Sequence, residues 1–110
     1  MVTGSQPGGS AYWVAVHRDD DATRIEAGGE LDLATRDTFH QAVVDALGGT
    51  KATELIIDLR EVTFIDAAAV HAAVVDSADV ARSAGIRCHV LPSTRVRRIL
   101  EIAGLADLVD

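Results

Sequence analysis

The middle of the chain, from Leu55 to Ala84, constrains the fold more than any other stretch. It opens with Leu55–Leu59, an apolar run with one Asp, which is typical of a strand covered on both faces. It continues into an Ala- and Val-rich segment that reaches Gly85 without an earlier Gly or Pro and whose apolar residues recur at helical spacing. A strand followed by a helix in this way indicates an α/β arrangement.

Asp66 stands between the predicted strand and the predicted helix. An Asp at this position caps a helix by accepting hydrogen bonds from the free N–H groups of the first turn, here those of Ala68 or Ala69. The open N–H groups and the helix dipole also favour negative charge at this end of a helix. We therefore expect a functional edge of the domain where this helix begins.

Two strands are predicted before the central stretch. Ala11–His17 is rich in β-branched and aromatic residues, and Thr23–Ala27 alternates in polarity. Together they predict a hairpin around the polar turn Arg18–Ala22. Gly28 and Gly29 follow, and we expect them to change the direction of the chain.

Two further helices and one strand complete the predicted elements. Thr35 is expected to cap a helix that ends at Gly48. Ile86–Leu91 predicts a strand nearer the sheet edge than the central one, because only one of its faces is apolar. Ser93 or Thr94 is expected to cap the last helix.

The order of these elements, β, β, α, β, α, β, α, predicts the fold class α/β. Strands joined through helices pair in parallel, so we expect a mixed, mostly parallel sheet with an N-terminal hairpin. The Gly- and Ser-rich segment 1–10 is predicted to be a flexible tail rather than a signal peptide, and 11–110 a single domain.

The acidic balance of the chain limits its partners. Seventeen of the 110 residues are Asp or Glu and ten are Lys or Arg, which gives a net charge of -7. Contacts to phosphates need a basic face, so we expect no nucleic-acid binding.

The longest uncharged apolar run, Ala67–Val75, is too short to span a bilayer, so we expect a cytoplasmic protein with no membrane contact.

Side chains of the kinds that catalyse reactions or bind metals do not cluster in the sequence. The four His residues fall in different elements without the spacing of metal ligands, and no Gly-rich phosphate-binding motif is present. Asp58 and Asp66 can be interpreted as paired acids, but no nucleophile, His base or Lys lies between them, which favours a strand Asp and a helix cap. We expect no enzymatic activity, no catalytic residue, no metal and no cofactor.

Three arginines, Arg95, Arg97 and Arg98, cluster in the last predicted helix. A solvated helix face explains this cluster, and a partner-binding patch is the alternative.

Three blocks of the sequence match a known family pattern when they are taken together. Gly29–Asp32 with Thr35 is similar to a G-E-L-D-x-x-T block, and Leu55–Leu59 with the approach to Asp66 is similar to a central strand followed by D-S-S-G-L. The segment Val96–Leu105 is similar to the last helix of that pattern and the Gly-Leu after it. On these blocks the chain resembles the STAS domain family, the anti-sigma-factor antagonists.

The resemblance implies a sheet with helices on one side, no catalysis, and binding to an anti-sigma factor, often a GHKL-type kinase. In the family, a Ser at the start of the central helix is phosphorylated, which switches binding off by adding charge. The D-S-S-G-L block is Asp66–Val70 here, and Ala68 stands at the position of that Ser. We therefore expect no phosphorylation switch at this position.

The resemblance also implies where the partner binds. The loop from Thr63 to Val70 lies beside Glu30–Thr35 in the family, and loops that follow parallel strands meet at one sheet edge. The residues expected at this partner-binding surface are Asp32, Thr35, Thr63, Asp66, Ala67, Ala68, Ala69 and Val70.

The leading functional hypothesis is therefore a non-enzymatic regulatory module that binds an anti-sigma factor in the control of transcription. One alternative is a STAS domain that senses a small anion or nucleotide at the same helix start. Another is a scaffold component of a stress-signalling complex.

Overall fold

A mixed β-sheet with helices on one side forms the protein in the computed structural model, which describes residues 2–3 and 12–105. The first two pairs, β1 with β2 and β2 with β3, are antiparallel, whereas β4 pairs in parallel with both of its neighbours. The predicted fold class, an α/β domain with a mixed sheet, an N-terminal hairpin and helices on one side, is confirmed. The strands lie in the sheet in chain order: β1 Val2–Thr3, β2 Tyr12–Arg18, β3 Ala22–Leu31, β4 Glu54–Ile65 and β5 Arg87–Pro92.

The helices follow the predicted order, with one difference in the central helix. The predicted helix that begins after Asp66 is present, but its middle is wound as a π-helix. None of the helices in the described part is long and apolar enough to cross a membrane. The helical segments are α1 Arg36–Leu47, α2 Ala67–Val70, the π-helical segment His71–Asp76, α3 Ser77–Ser83 and α4 Thr94–Ile102.

Part of the predicted domain boundaries can be compared with the structure. Within the predicted tail 1–10, the described residues Val2 and Thr3 pair with β2, so this part of the tail is a short strand. The rest of the tail, and residues 11 and 106–110 of the predicted domain, lie outside the described residues.

The core lies between the sheet and the helices. Leu55, Ile57 and Leu59 of β4 alternate toward the helices and are fully buried. They meet the buried apolar residues of α1 and α4, which recur at helical spacing. These helix residues are Phe39, Val43, Ala46 and Leu47 in α1 and Val96 and Leu100 in α4.

The central strand β4 is longer than the predicted Leu55–Leu59. Its pairing with β3 slips twice, and each slip leaves one extra residue in β4, the second being Thr63. Such bulges break the alternation of inward and outward side chains, so the sequence after Leu59 lacks the period of a strand. Thr63 and Phe64, for example, are both exposed.

Asp58 stabilises β4 beside the first of these bulges. Its carboxylate is only 1% exposed, although it lies on the side of the sheet away from the helices. It accepts hydrogen bonds from the backbone N–H of Arg60 at 3.1 Å, from the guanidinium of Arg60 at 2.8 and 3.0 Å, and from Arg24 at 3.0 Å. These bonds, with Arg60 foremost, outweigh burial and lower the pKa of Asp58 below its usual value. Asp58 is therefore a structural residue of β4, and its carboxylate is held by Arg24 and Arg60.

The prediction that Gly28 and Gly29 change the direction of the chain is wrong, because β3 continues through both residues to Leu31. Gly28 is opposite Trp13 in the neighbouring strand, and the indole ring occupies the space where a Cβ would lie. Gly29 has φ +80°, a conformation that favours glycine, and lies where the pairing with β4 slips. The glycines thus serve close packing and a bulge rather than a turn.

We expect Gly28→Ala to lower the free energy of unfolding by about 1–3 kcal/mol, the usual cost of overpacking, because the added methyl overlaps the Trp13 ring. Urea unfolding followed by circular dichroism measures this loss. Gly48→Ala is the matched control, since Gly48 has φ -66° and an added Cβ there meets nothing closer than 3.6 Å. Equal stability of the two variants would contradict the packing of Trp13 on Gly28.

Candidate functional site

The carboxyl ends of β3 and β4 lie side by side. Leu31 pairs with Ile65, and the backbone N–H of Asp66 donates to the carbonyl oxygen of Leu31 at 3.3 Å. The segment that leads from β3 into α1 and the segment that leads from β4 into α2 therefore start from the same point of the sheet edge. This juxtaposition is what parallel pairing of the two strands dictates.

Asp66 joins these two segments through its two carboxylate oxygens. One oxygen accepts a hydrogen bond from the backbone N–H of Ala69 at 2.9 Å, which confirms the predicted helix cap. The other accepts from the backbone N–H of Leu33 at 3.1 Å. A single side chain therefore caps the central helix and fixes the loop after β3 against it.

The loop after β3 is closed by Asp32 and Thr35, and the prediction that the Thr35 side chain caps α1 is wrong. Thr35 precedes the helix, but its backbone is already close to the helical region, at φ -109° and ψ -10°, whereas a capping residue is usually extended. Its hydroxyl instead accepts from the backbone N–H of Asp32 at 2.9 Å, while the Asp32 carboxylate accepts from the backbone N–H groups of Ala34 and Thr35. The two side chains lock the loop reciprocally.

Exposed apolar side chains occur in the two segments that Asp66 joins. Leu33 is 62% exposed and Phe64 is 45% exposed, and Ala67 is also exposed. We name Leu33, Phe64, Asp66, Ala67 and Ala68 the Asp66 surface. Leu33 and Phe64 lie within the predicted segments Glu30–Thr35 and Thr63–Val70, but neither is among the individual residues predicted at the partner-binding surface. Two features of the sequence could have indicated them. Leu33 is an apolar residue between the loop-closing Asp32 and Thr35, and Phe64 is an apolar residue directly after the polar Thr63.

The other predicted site residues have different positions. Ala68 is half-buried, whereas Ala69 and Val70 are buried in the core, so these last two shape the surface through their backbone. Thr63 is exposed in β4, and none of the hydrogen bonds described above involves it. Asp32 and Thr35 lie beside the Asp66 surface and hold the loop that carries Leu33.

A groove of about 500 Å³ lies next to Ala68, between α1 and the π-helical segment. His71 and Asp76 face each other there, with 3.4 Å between Nδ1 and a carboxylate oxygen. Within residues 12–105, no group of three His, Cys, Asp or Glu side chains could hold a metal ion. The groove is lined by Arg36, Asp37, His40, Ala68, His71, Ala72 and Asp76.

Comparison with known proteins identifies the class of protein. The model of the STAS domain matches residues 12–110, which is nearly the whole chain. The chain therefore belongs to the STAS domain family.

The similar proteins are named as anti-sigma factor antagonists. The chain is 30% identical over 105 residues to the anti-sigma-F factor antagonist RsfA of Mycobacterium tuberculosis, covering 94% of this chain and 81% of that protein. The fold is similar to that of the anti-sigma factor antagonist SpoIIAA in its unphosphorylated form, with a TM-score of 0.73 and 19% identity over 88% of this chain and 85% of that one. It is also similar to an anti-sigma factor antagonist from Mycobacterium paratuberculosis, with a TM-score of 0.72 and 18% identity over 99% and 83% of the two chains.

We expect Asp66→Ala to lower the free energy of unfolding by about 1–2 kcal/mol, because it removes both a helix cap and the bond to the Leu33 amide. Urea unfolding measures the loss, and amide hydrogen exchange reports whether Leu33 becomes less protected.

Ser93→Ala is the matched control for this prediction, since Ser93 caps α4 by accepting one bond from the Val96 amide, and no other side-chain hydrogen bond of Ser93 is described within residues 12–105. It should cost about 1 kcal/mol and leave exchange at Leu33 unchanged. An unchanged urea midpoint for Asp66→Ala would show that its two bonds contribute nothing to stability.

Proposed function

We propose that this STAS domain is an anti-sigma-factor antagonist that binds its anti-sigma factor through the Asp66 surface and acts in the cytoplasm. The observation that carries the proposal is the pair of hydrogen bonds from Leu33 and Ala69 to one carboxylate. These bonds hold exposed apolar side chains from two segments at the edge where the sheet ends. The antagonist names of the relatives support the choice of an anti-sigma factor as the partner.

The surface suits recognition of a protein. Leu33 and Phe64 are large and exposed, and side chains of this kind are often the anchors of protein interfaces. The backbone around Leu33 is held by Asp66 from one side and by Asp32 and Thr35 from the other. A surface that is ordered before binding loses less conformational entropy on association, which strengthens binding.

We also propose that this surface lacks the usual phosphorylation switch. Ala67 and Ala68 carry no hydroxyl group, and Ala68 occupies the position that the family resemblance assigns to the phosphorylated Ser. A phosphate adds about -1.5 to -2 charges at pH 7. Without it, the charge of the surface stays constant, so a GHKL-type kinase partner would bind this protein without inactivating it.

The observations do not favour a small-ligand sensor, because the named relatives are antagonists. Copurification of the tagged protein from a lysate of its source organism tests the choice directly. An anti-sigma factor identified by mass spectrometry supports the proposal. Retention of a small molecule in place of an anti-sigma factor overturns it.

We expect Ala68→Glu to weaken binding to the recovered anti-sigma factor at least about tenfold, since it places a charge within an apolar interface. The fold should survive, because an acidic residue in the first turn of a helix interacts favourably with the dipole. Isothermal titration calorimetry and thermal unfolding measure the two quantities.

Two further variants accompany Ala68→Glu. Phe64→Ser should weaken binding as well, because it removes an apolar anchor without adding charge. Ser83→Glu adds the same charge at an exposed position at the far end of α3 and should leave the affinity unchanged. Full affinity in Ala68→Glu and Phe64→Ser would place the interface elsewhere.

The missing switch is tested by restoring the hydroxyl. We expect the native protein to remain unlabelled at residues 67–70 when it is incubated with ATP and an anti-sigma kinase that binds it. We expect Ala68→Ser to be labelled there, because the hydroxyl returns at a half-exposed position. Phosphopeptide mapping distinguishes the two proteins, and an unlabelled Ala68→Ser would contradict the assignment of this position.

A further inference from the structure

The arginines of α4 differ from the other arginines in their surroundings. Within residues 12–105, none of the described hydrogen bonds or ion pairs involves the side chain of Arg95, Arg97 or Arg98, and all three residues are exposed. This is unexpected in a chain with 17 carboxylate side chains and a net charge of -7. Every other arginine donates to a carboxylate or carbonyl oxygen or lies within ion-pair distance of a carboxylate; these are Arg18, Arg24, Arg36, Arg60, Arg82 and Arg87.

Arg95 and Arg98 share one side of α4 with apolar residues. Positions 95, 98, 99 and 102 fall on one stripe at 3.6 residues per turn. Ile102 is 78% exposed, and a groove of about 480 Å³ runs along Thr94, Arg95, Arg98 and Ile99. We name Arg95, Arg98, Ile99 and Ile102 the α4 stripe. Arg97 lies on the opposite flank of the buried residues of this helix.

The position of the arginines along the helix is locally unfavourable. Arg95 lies in the first turn of α4, where the positive end of the helix dipole repels a cation, and no acidic residue offsets it in that turn. Local preference would place cations in the last turn, which has none. A negatively charged group bound here would be attracted by the guanidinium groups and by the dipole together, so the arrangement is complementary to carboxylates.

We propose that the α4 stripe is a second interaction surface, which binds an acidic segment of a protein partner. Carboxylates of that segment pair with Arg95 and Arg98, and an apolar side chain between them covers Ile102. The exposed isoleucine favours an acidic, amphipathic peptide over a nucleic acid, because phosphates need a broader basic face than these two arginines offer. This surface goes beyond the proposed function, because it shares no residue with the Asp66 surface.

A short synthetic peptide with Glu residues at helical spacing and one central Leu tests this proposal. We expect saturable binding by the 110-residue protein, with NMR shift changes concentrated in α4. The double variant Arg95→Gln/Arg98→Gln should weaken binding at least about tenfold, and Ile102→Ser several-fold. A peptide with Gln in place of every Glu should bind at least about tenfold more weakly.

The chain offers a matched control on the same helix. Arg97→Gln removes the same charge from the opposite flank and should change the affinity by less than about twofold. Thermal unfolding of each variant separates lost binding from lost structure. Ala68→Glu should leave peptide binding intact, so that failure of the Asp66 surface and failure of the α4 stripe remain distinguishable.

Several results would overturn the proposal. These are an equal loss of affinity in Arg97→Gln and in the double variant, shift changes away from α4, or equal affinity for the Gln peptide. Tighter binding of a single-stranded RNA oligonucleotide or of anionic phospholipid vesicles through Arg95 and Arg98 would also overturn it, since the surface would then recognise phosphate.

Discussion

The two hydrogen bonds to the Asp66 carboxylate are the interaction on which the candidate site depends. The bond to Ala69 is local, and it starts the central helix at a defined residue. The bond to Leu33 joins residues that are 33 positions apart in the chain, so it forms only when β3 and β4 are paired. The geometry of the surface is therefore coupled to the folding of the sheet, and the surface exists only in the assembled domain.

The central strand supplies the frame for that coupling. One face of β4 is fully buried by Leu55, Ile57 and Leu59, while Asp58 on the other face is held by Arg24 and Arg60. The Asp58 carboxylate also satisfies the backbone N–H of Arg60, where the pairing with β3 slips. Bulges of this kind re-aim the residues that follow. They leave Phe64 exposed beside the helix start, and so the strand contributes directly to the surface.

The two proposed surfaces differ in chemistry. The Asp66 surface presents apolar side chains, and its one carboxylate is occupied by backbone N–H groups. The α4 stripe presents guanidinium groups in an otherwise acidic molecule. Burial of apolar area changes mainly the lifetime of a complex, whereas exposed charges change mainly the association rate and its salt dependence. A partner with an acidic segment near an apolar patch would bind both the Asp66 surface and the α4 stripe.

The sequence by itself determined the features that depend on neighbours along the chain. Helical spacing predicted the helices, and Asp66 and either Ser93 or Thr94 were predicted as caps, of which Asp66 and Ser93 accept the capping bonds. The order of β and α elements predicted the sheet class. Only the tertiary structure decided the roles of Gly28, which lies under Trp13, and of Leu33, whose amide reaches Asp66. It also buried Ala69 and Val70, which the family pattern placed at the partner surface. The physical reason is the range of the interactions: caps and periodicity act within one turn, whereas packing and exposure are set by residues that meet only after folding.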